Sequence, residues 1–108
     1  MTADEFRGLA LDLPETSESA HMSHPDFRVG GKIFASLGYP DADHGMIVLP
    51  PDEQKKLLRT HPKVFVPAKG AWGKQGSTAV LLAAVSRATL RSALEIAWRN
   101  KAPKRFLD

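Results

Sequence analysis

The chain has 108 residues, of which 43% are hydrophobic and 25% are charged, with a net charge of +3 and no cysteine. These values predict one globular domain over residues 1–108 and exclude a disordered or fibrous chain, disulfide bonds, thiol nucleophiles and cysteine-ligated zinc. No apolar run approaches the roughly 20 residues that span a bilayer, and the first residues do not resemble a signal peptide, so we expect a cytoplasmic protein without a membrane partner.

Local signals predict three helices, a β-hairpin and further strands. Thr2 and Glu5 have capping-box spacing before apolar residues at helical spacing, which predicts a first helix that Pro14 ends. Gly30 and Gly31 separate two β-rich runs and therefore predict a tight hairpin. In chain order, the predicted elements are a helix from residue 2 to about 12, hairpin strands over 27–29 and 32–37, a strand over 46–49, a helix between Pro50 and His61, strands over 64–66 and 77–85, and a helix between Ser86 and Pro103.

The remaining segments and the element order predict the fold class. Residues 17–22 are small and polar without helical periodicity, and residues 67–76 contain three glycines and are predicted to be a loop. Residues 77–85 are the most apolar run, which predicts a central strand covered by helices. The order is α-β-β-β-(β)-α-β-β-α, with few βαβ alternations. We therefore expect an α+β fold, with an antiparallel sheet of about five to six strands and helices packed on it.

The chain resembles the MmcQ/YjbR family of small bacterial α+β proteins, which are often described as DNA-binding. The segments that carry the resemblance cover almost the whole chain and are residues 13–15, the hairpin over 27–35, residues 45–49 and 65–67, the loop around Trp72, the helix over 90–98 and its exit over 102–104. The resemblance implies a YjbR-like fold and DNA binding, and it implies no catalytic residue. Residues 73–77 are more polar than the family pattern.

Residues 69–77 are the strongest functional candidate in the sequence. Their glycines expose backbone amides, Lys69 and Lys74 supply cations, and Trp72 offers a face on which a base can stack. The segment is not a P-loop, because Ala68 stands where that motif needs glycine and Gln75 where it needs serine or threonine. The alternative is a structural connection in which Trp72 covers the edge of the core.

The basic residues are concentrated in the second half of the chain. Residues 1–49 carry three Arg and Lys against eight Asp and Glu, whereas residues 50–108 carry twelve against four. Clustered cations release counterions from phosphates on binding, so this half favours an anionic partner, although solvated surface is an equal alternative. The further cations expected to contribute to nucleic-acid binding are Arg28, Lys32 and Lys63.

The other cations of the two later helices are expected to form local ion pairs. Lys56 follows Asp52 by four residues, and Glu95 stands one turn from Arg91 and from Arg99. No helix-turn-helix pattern precedes the last helix, so it is not predicted to be a recognition helix. These faces are therefore predicted to be solvated rather than functional.

No residue constellation predicts catalysis, a metal site or a cofactor. His21 and His24 are three residues apart and would project to opposite faces of an extended chain, so a zinc site would need other side chains to converge on them. No serine lies in a Gly-x-Ser-x-Gly motif, and no histidine and acid are spaced to indicate a triad.

These observations favour a non-enzymatic binding module with nucleic acid as its partner. Binding would combine phosphate neutralisation with one stacking contact, which gives affinity with little sequence specificity. The alternative is a small-ligand or protein-interaction domain, with a pocket beside the sheet bordered by Trp72 and Tyr39 and without nucleic-acid binding. A continuous basic surface would favour the first hypothesis, and a pocket with a few convergent polar groups the second.

Overall fold

The computed structural model describes residues 1–107, which form one six-stranded antiparallel sheet with helices against it. The elements in chain order are α1 (Ala3–Leu11), β1 (Thr16–His21), β2 (His24–Val29), β3 (Lys32–Leu37), β4 (His44–Val48), α2 (Pro51–Thr60), β5 (Phe65–Pro67), α3 (Gly70–Lys74), β6 (Ser77–Leu81), α4 (Arg87–Lys101) and a 3-10 turn (Lys104–Phe106). Across the sheet the strands follow the order β1-β2-β3-β4-β6-β5. The predicted α+β class and antiparallel sheet are confirmed.

The local signals at element ends act as predicted. The Thr2 hydroxyl accepts a hydrogen bond from the Glu5 amide at 3.1 Å, and the Glu5 carboxylate accepts one from the Thr2 amide at 3.0 Å. The Ser86 hydroxyl caps α4 by accepting from a backbone amide at 3.1 Å. Gly30 and Gly31 form the turn between β2 and β3 with φ values of +57° and +79°, which glycine adopts without steric cost.

The optional strand of the predicted order is present as β1, and two other segments differ from the sequence-based expectation. The polar residues 17–22 belong almost entirely to β1, an edge strand that is largely exposed, so it lacks the apolar alternation of a half-buried strand. The strand predicted over 77–85 ends at Leu81, and the apolar Leu82 and Val85 are buried in the turn that leads into α4. The loop predicted over 67–76 contains the helix α3.

One face of the sheet is covered by α1, α2 and α4. Phe27, Ala35, Ile47 and Thr78 are successive cross-strand partners and are all buried, so this row faces the core. The buried hydrophobic residues of helices and strands form one continuous cluster on this side. The core therefore lies between the sheet and the three helices.

The longest helix, α4, contributes the largest apolar stripe to this core. Its buried residues are Leu90, Ala93, Leu94, Ala97 and Trp98. The indole N–H of Trp98 donates to the Pro14 carbonyl oxygen at 2.9 Å, which ties the helix to the chain after α1. Among residues 1–107, none of the helices is both long and apolar enough to cross a membrane.

Candidate nucleic-acid interface

The connection between β5 and β6 is a short helical turn, which we call the Trp72 turn (residues 69–75). Its helix, α3, covers Gly70–Lys74. Gly73 packs so closely on the Ala68 carbonyl group that any side chain would overlap it. Gly76 follows with a φ of +112°, a conformation that other residues rarely adopt. The glycines of this segment therefore determine the shape of the turn.

Gln54 of α2 anchors the Trp72 turn to the rest of the fold. Its side chain is buried, and its Nε2 donates to the Gly73 carbonyl oxygen at 2.9 Å and to the Thr78 hydroxyl at 3.1 Å. Sequence reasoning did not identify this residue, because a polar side chain in a basic helix is usually exposed. The sequence does contain a signal that Gln54 is buried. It precedes Leu57 and Leu58 by three and four residues and therefore lies on the same face of the helix as these apolar residues.

Trp72 projects from this turn into solvent. Its side chain is 70% exposed, whereas Trp98 is only 6% exposed. The alternative in which Trp72 covers the edge of the core is therefore wrong. Lys69 and Lys74 flank it and are also exposed. No carboxylate of residues 1–107 lies within 4.0 Å of either ammonium group, so both charges face solvent.

The Trp72 turn lies at one end of the sheet, which we call the Trp72 end. Ser77, the first residue of β6, pairs with Val48, the last residue of β4. Because β3 runs antiparallel to β4, its first residue, Lys32, lies at this end too. Lys32 is exposed, and its strand is two strand spacings, about 10 Å, from β6. The structure thus brings Lys32 to the same end of the sheet as Lys69 and Lys74.

Arg28, the fourth predicted cation, is held in an ion pair with a buried carboxylate. Its Nε donates to Asp26 Oδ1 at 2.8 Å and its Nη2 donates to Oδ2 at 3.1 Å, while the Asp26 side chain is 0% exposed. His21 Nδ1 lies 2.8 Å from the same carboxylate. The hydrogen bonds from Arg28, with that of His21, outweigh burial and lower the pKa of Asp26. The hydrogen bonds to Asp26 also raise the pKa of Arg28. The charge of Arg28 is therefore paired with a carboxylate of the same strand.

Lys63 lies at the far end of the sheet from the other predicted lysines. It precedes β5, which starts at Phe65 and ends with Pro67 at the Trp72 end. A three-residue strand spans about 10 Å, so the length of β5 separates Lys63 from Lys69. Lys63 is exposed, and the structure does not bring it together with the Trp72 turn.

The remaining basic residues of α2 and α4 form local surface pairs. Lys56 Nζ lies 3.4 Å from Glu53 Oε1, so the predicted pairing with Asp52 is wrong. Arg99 Nη2 lies 3.5 Å from Glu95 Oε1, so the predicted pair between these two residues is confirmed. Exposed pairs of this kind contribute about 0–1 kcal/mol, and they leave these helix faces solvated.

The histidines lie in separate places rather than at one site. His21 and His24 face each other across the turn between β1 and β2, with ring centroids 6.3 Å apart. The prediction that they project to opposite faces was wrong, because Met22 and Ser23 reverse the chain with φ values of +49° and +67°. Within the described part of the chain, no group of three or more His, Cys, Asp or Glu residues is arranged to hold a metal ion.

Two cavities lie away from the Trp72 turn. One, of about 240 Å³, lies between Leu13, Trp98 and Phe106, and the other, of about 370 Å³, lies between Arg7 and His24. Neither is bordered by Trp72 or Tyr39, the residues expected to line a ligand pocket. The exposed aromatic side chain of Trp72 is therefore part of an open surface rather than of either cavity.

Comparison with known proteins identifies the family. The YjbR family model matches residues 11–100, which is most of the chain. The chain belongs to the YjbR family. It is also similar to the crystal structure of Deinococcus radiodurans protein DR2400, whose family-model domain is DUF419, with a TM-score of 0.75 and 20% identity over 90% of this chain and 75% of that chain. At this identity the likeness shows the fold alone. No curated protein matches the chain significantly.

Proposed function

We propose that this YjbR-family protein is a non-enzymatic module that binds nucleic acid through the Trp72 turn. The observation that carries the proposal is the 70% exposure of Trp72 between two lysines without carboxylate partners in residues 1–107. A nucleotide presents a flat base and an anionic phosphate. An indole face and two ammonium groups on one short turn complement both of these groups.

The exposure of Trp72 has an energetic cost that a ligand would offset. An aromatic side chain can remove on the order of 200 Å² from water, so burial of this one would add roughly 3 kcal/mol of stability. The turn that presents it is nevertheless well anchored, by the buried Gln54 and by the close packing of Gly73. A rigid aromatic side chain loses little conformational entropy when a ligand binds, which favours affinity.

The chemistry of the turn favours single strands over duplex. A base inside a duplex is already stacked on its neighbours, whereas a base in a single strand is free to stack on Trp72. Base stacking on an aromatic side chain contributes about 1–3 kcal/mol and discriminates little between bases, since every base has a π face. Lys69 and Lys74 would neutralise the flanking phosphates, again without reading sequence.

The proposal is tested by titration of the protein with single-stranded and duplex DNA of mixed sequence over a range of salt concentrations. We expect tighter binding to the single strand and an affinity that falls as salt rises. Trp72→Ala should weaken single-strand binding by about 5- to 100-fold, which corresponds to the loss of one stacked base. Lys69→Ala with Lys74→Ala should reduce the slope of log affinity against log salt by about 0.7 for each lysine.

Matched controls come from the far end of the molecule. Met22→Ala removes an 89% exposed apolar side chain from the turn between β1 and β2, and Lys63→Ala removes an exposed lysine. Both variants should bind like the parent protein. Single-strand binding that is insensitive to salt, or that Trp72→Ala leaves unchanged, would contradict the proposal.

A further inference from the structure

The turn between β2 and β3 packs directly on the chain that leaves α4. A side-chain atom placed on Gly30 would lie 2.6 Å from Pro103 Cγ, so this close approach requires glycine. Lys32 stands two residues after Gly30, and Lys101 and Lys104 flank Pro103 on both sides. Residues about seventy positions apart in the chain therefore meet as neighbours.

A hydrogen bond places this meeting point at the Trp72 end of the sheet. Asn100 Nδ2, in the last turn of α4, donates to the Val48 carbonyl oxygen at 3.1 Å. Val48 is the last residue of β4 and pairs with Ser77. Only Gly76 separates Ser77 from the Trp72 turn. The end of β4 thus lies between the Trp72 turn on one side and the exit of α4 on the other.

Four cations belong to the two segments that meet at Gly30 and Pro103. They are Lys32, Lys101, Lys104 and Arg105, which we call the exit cluster. None of them lies within 4.0 Å of a carboxylate in the part of the chain that the structure describes. The Arg105 guanidinium lies 4.7 Å from the centroid of the Phe106 ring, which restrains it near the chain. Lys32, Lys104 and Arg105 are exposed and Lys101 is partly buried, so the cluster presents most of its charge to solvent.

Helix stability explains only part of this cluster. A cation in the last turn of a helix opposes the negative end of the helix dipole, and this accounts for Lys101. Lys32 belongs to a strand, and Lys104 and Arg105 follow Pro103 outside the helix. These three cations form no ion pair within residues 1–107, so an external anion is the partner that they suit.

Acidic residues border the basic surface that the Trp72 turn and the exit cluster form. Asp12 and Glu15 precede β1, at the outer edge of the Trp72 end, and Asp52 stands in the first turn of α2 just after β4. An anionic strand that follows the cations would therefore pass from the Trp72 turn across the end of β4 to the exit cluster. It would not continue towards β1.

We infer that the exit cluster is a second phosphate-binding site and that a nucleic-acid strand seated on the Trp72 turn crosses the end of β4 to reach it. This inference rests on the proposed function and extends it. Strands β6 and β3, which carry the Trp72 turn and Lys32 at this end of the sheet, are about 10 Å apart. Only a strand of several nucleotides can reach from one to the other, and a strand too short to do so should contact the Trp72 turn alone.

The experiment compares the Lys101→Ala, Lys104→Ala double variant with the parent on single strands of about two and about twelve nucleotides. We expect roughly tenfold weaker binding of the longer strand, a salt slope reduced by about 1.4, and unchanged binding of the shorter one. Arg91→Ala, an exposed cation nearer the start of α4, is the matched control and should bind both strands normally. Circular dichroism checks that the variants are folded.

The possible outcomes separate this inference from the function on which it rests. If Lys69→Ala with Lys74→Ala weakens binding and the exit-cluster variant does not, the exit cluster is not a phosphate site and the proposed function survives. Equal losses on the short and the long strand would overturn the crossing path. If the unaltered protein binds neither strand, the proposed function fails and the inference fails with it.

Discussion

The two tryptophans of this protein occupy opposite kinds of environment. Trp98 is 6% exposed, packs in the core and donates its indole N–H to the Pro14 carbonyl oxygen at 2.9 Å. Trp72 is 70% exposed on a turn whose neighbouring lysines face solvent. The same residue type therefore closes the core in one region and forms an open surface in the other. The difference indicates that the side chain of Trp72 contributes little to stability and is available for contact with a partner.

The first prediction compares these two residues through stability. Trp98→Ala should lower the free energy of unfolding by about 4 kcal/mol, because it leaves a cavity in the core and an unpaired Pro14 carbonyl group. Trp72→Ala should change it by less than about 0.5 kcal/mol. Denaturant unfolding followed by circular dichroism measures both values. Similar losses in the two variants would show that Trp72 is structural and would remove the distinction.

A second prediction concerns the ion pair that uses the charge of Arg28. Asp26→Asn should lower the free energy of unfolding at neutral pH by about 2–3 kcal/mol, because it leaves Arg28 without its buried partner. The pKa of Asp26 is lowered in the folded state, chiefly by the hydrogen bonds from Arg28. The stability from this pair is therefore fully present above the unfolded-state pKa of about 3.9 and is lost as pH falls through the lower folded-state pKa.

Unfolding of the parent protein and of Asp26→Asn between neutral and acidic pH tests the sign of this effect. The two stability curves should converge as the pH falls below about 4. Ser19→Ala changes an exposed side chain on the neighbouring strand and is a suitable control. A difference that stays constant into acid would mean that the charge of Asp26 is not the cause.

A third prediction links the core to the Trp72 turn. Gln54→Met keeps a similar side-chain volume and removes the donor to the Gly73 carbonyl oxygen and the Thr78 hydroxyl. We expect a loss of about 1–2 kcal/mol in stability and weaker single-strand binding, because the turn is less well held. The neighbouring exposed Lys55→Met should alter neither. Normal binding by a destabilised Gln54→Met variant would show that the turn holds its shape without this anchor.

The smallest expected effect concerns Asp52, the acidic residue beside the end of β4. Asp52→Asn removes one negative charge that borders the path between the Trp72 turn and the exit cluster. Single-strand affinity should rise by roughly twofold at low salt and by less at high salt, because the repulsion is screened. Asp43→Asn, in the loop before β4 at the far end, should leave affinity unchanged. An unchanged affinity would place Asp52 outside the path.

Local order was predictable from the sequence because its causes lie within a few residues of one another. The capping box of Thr2 and Glu5, the cap of Ser86 and the glycine turn at residues 30–31 all act over four residues or fewer. The apolar run after Ser77 was misread as one long strand. Its last residues are buried by packing in a turn, and periodicity does not distinguish that from a strand.

The sequence alone determined the α+β class and the order of the main elements, and it singled out three residues of the Trp72 turn as candidates for nucleic-acid binding. Only the tertiary structure decided which cations are free. It pairs Arg28 with Asp26, places Lys63 at the far end, and packs the turn before Lys32 on Pro103, between Lys101 and Lys104 in the chain. The reason is physical: caps and turns depend on neighbours along the chain, whereas a charged surface depends on which strand ends the sheet brings together.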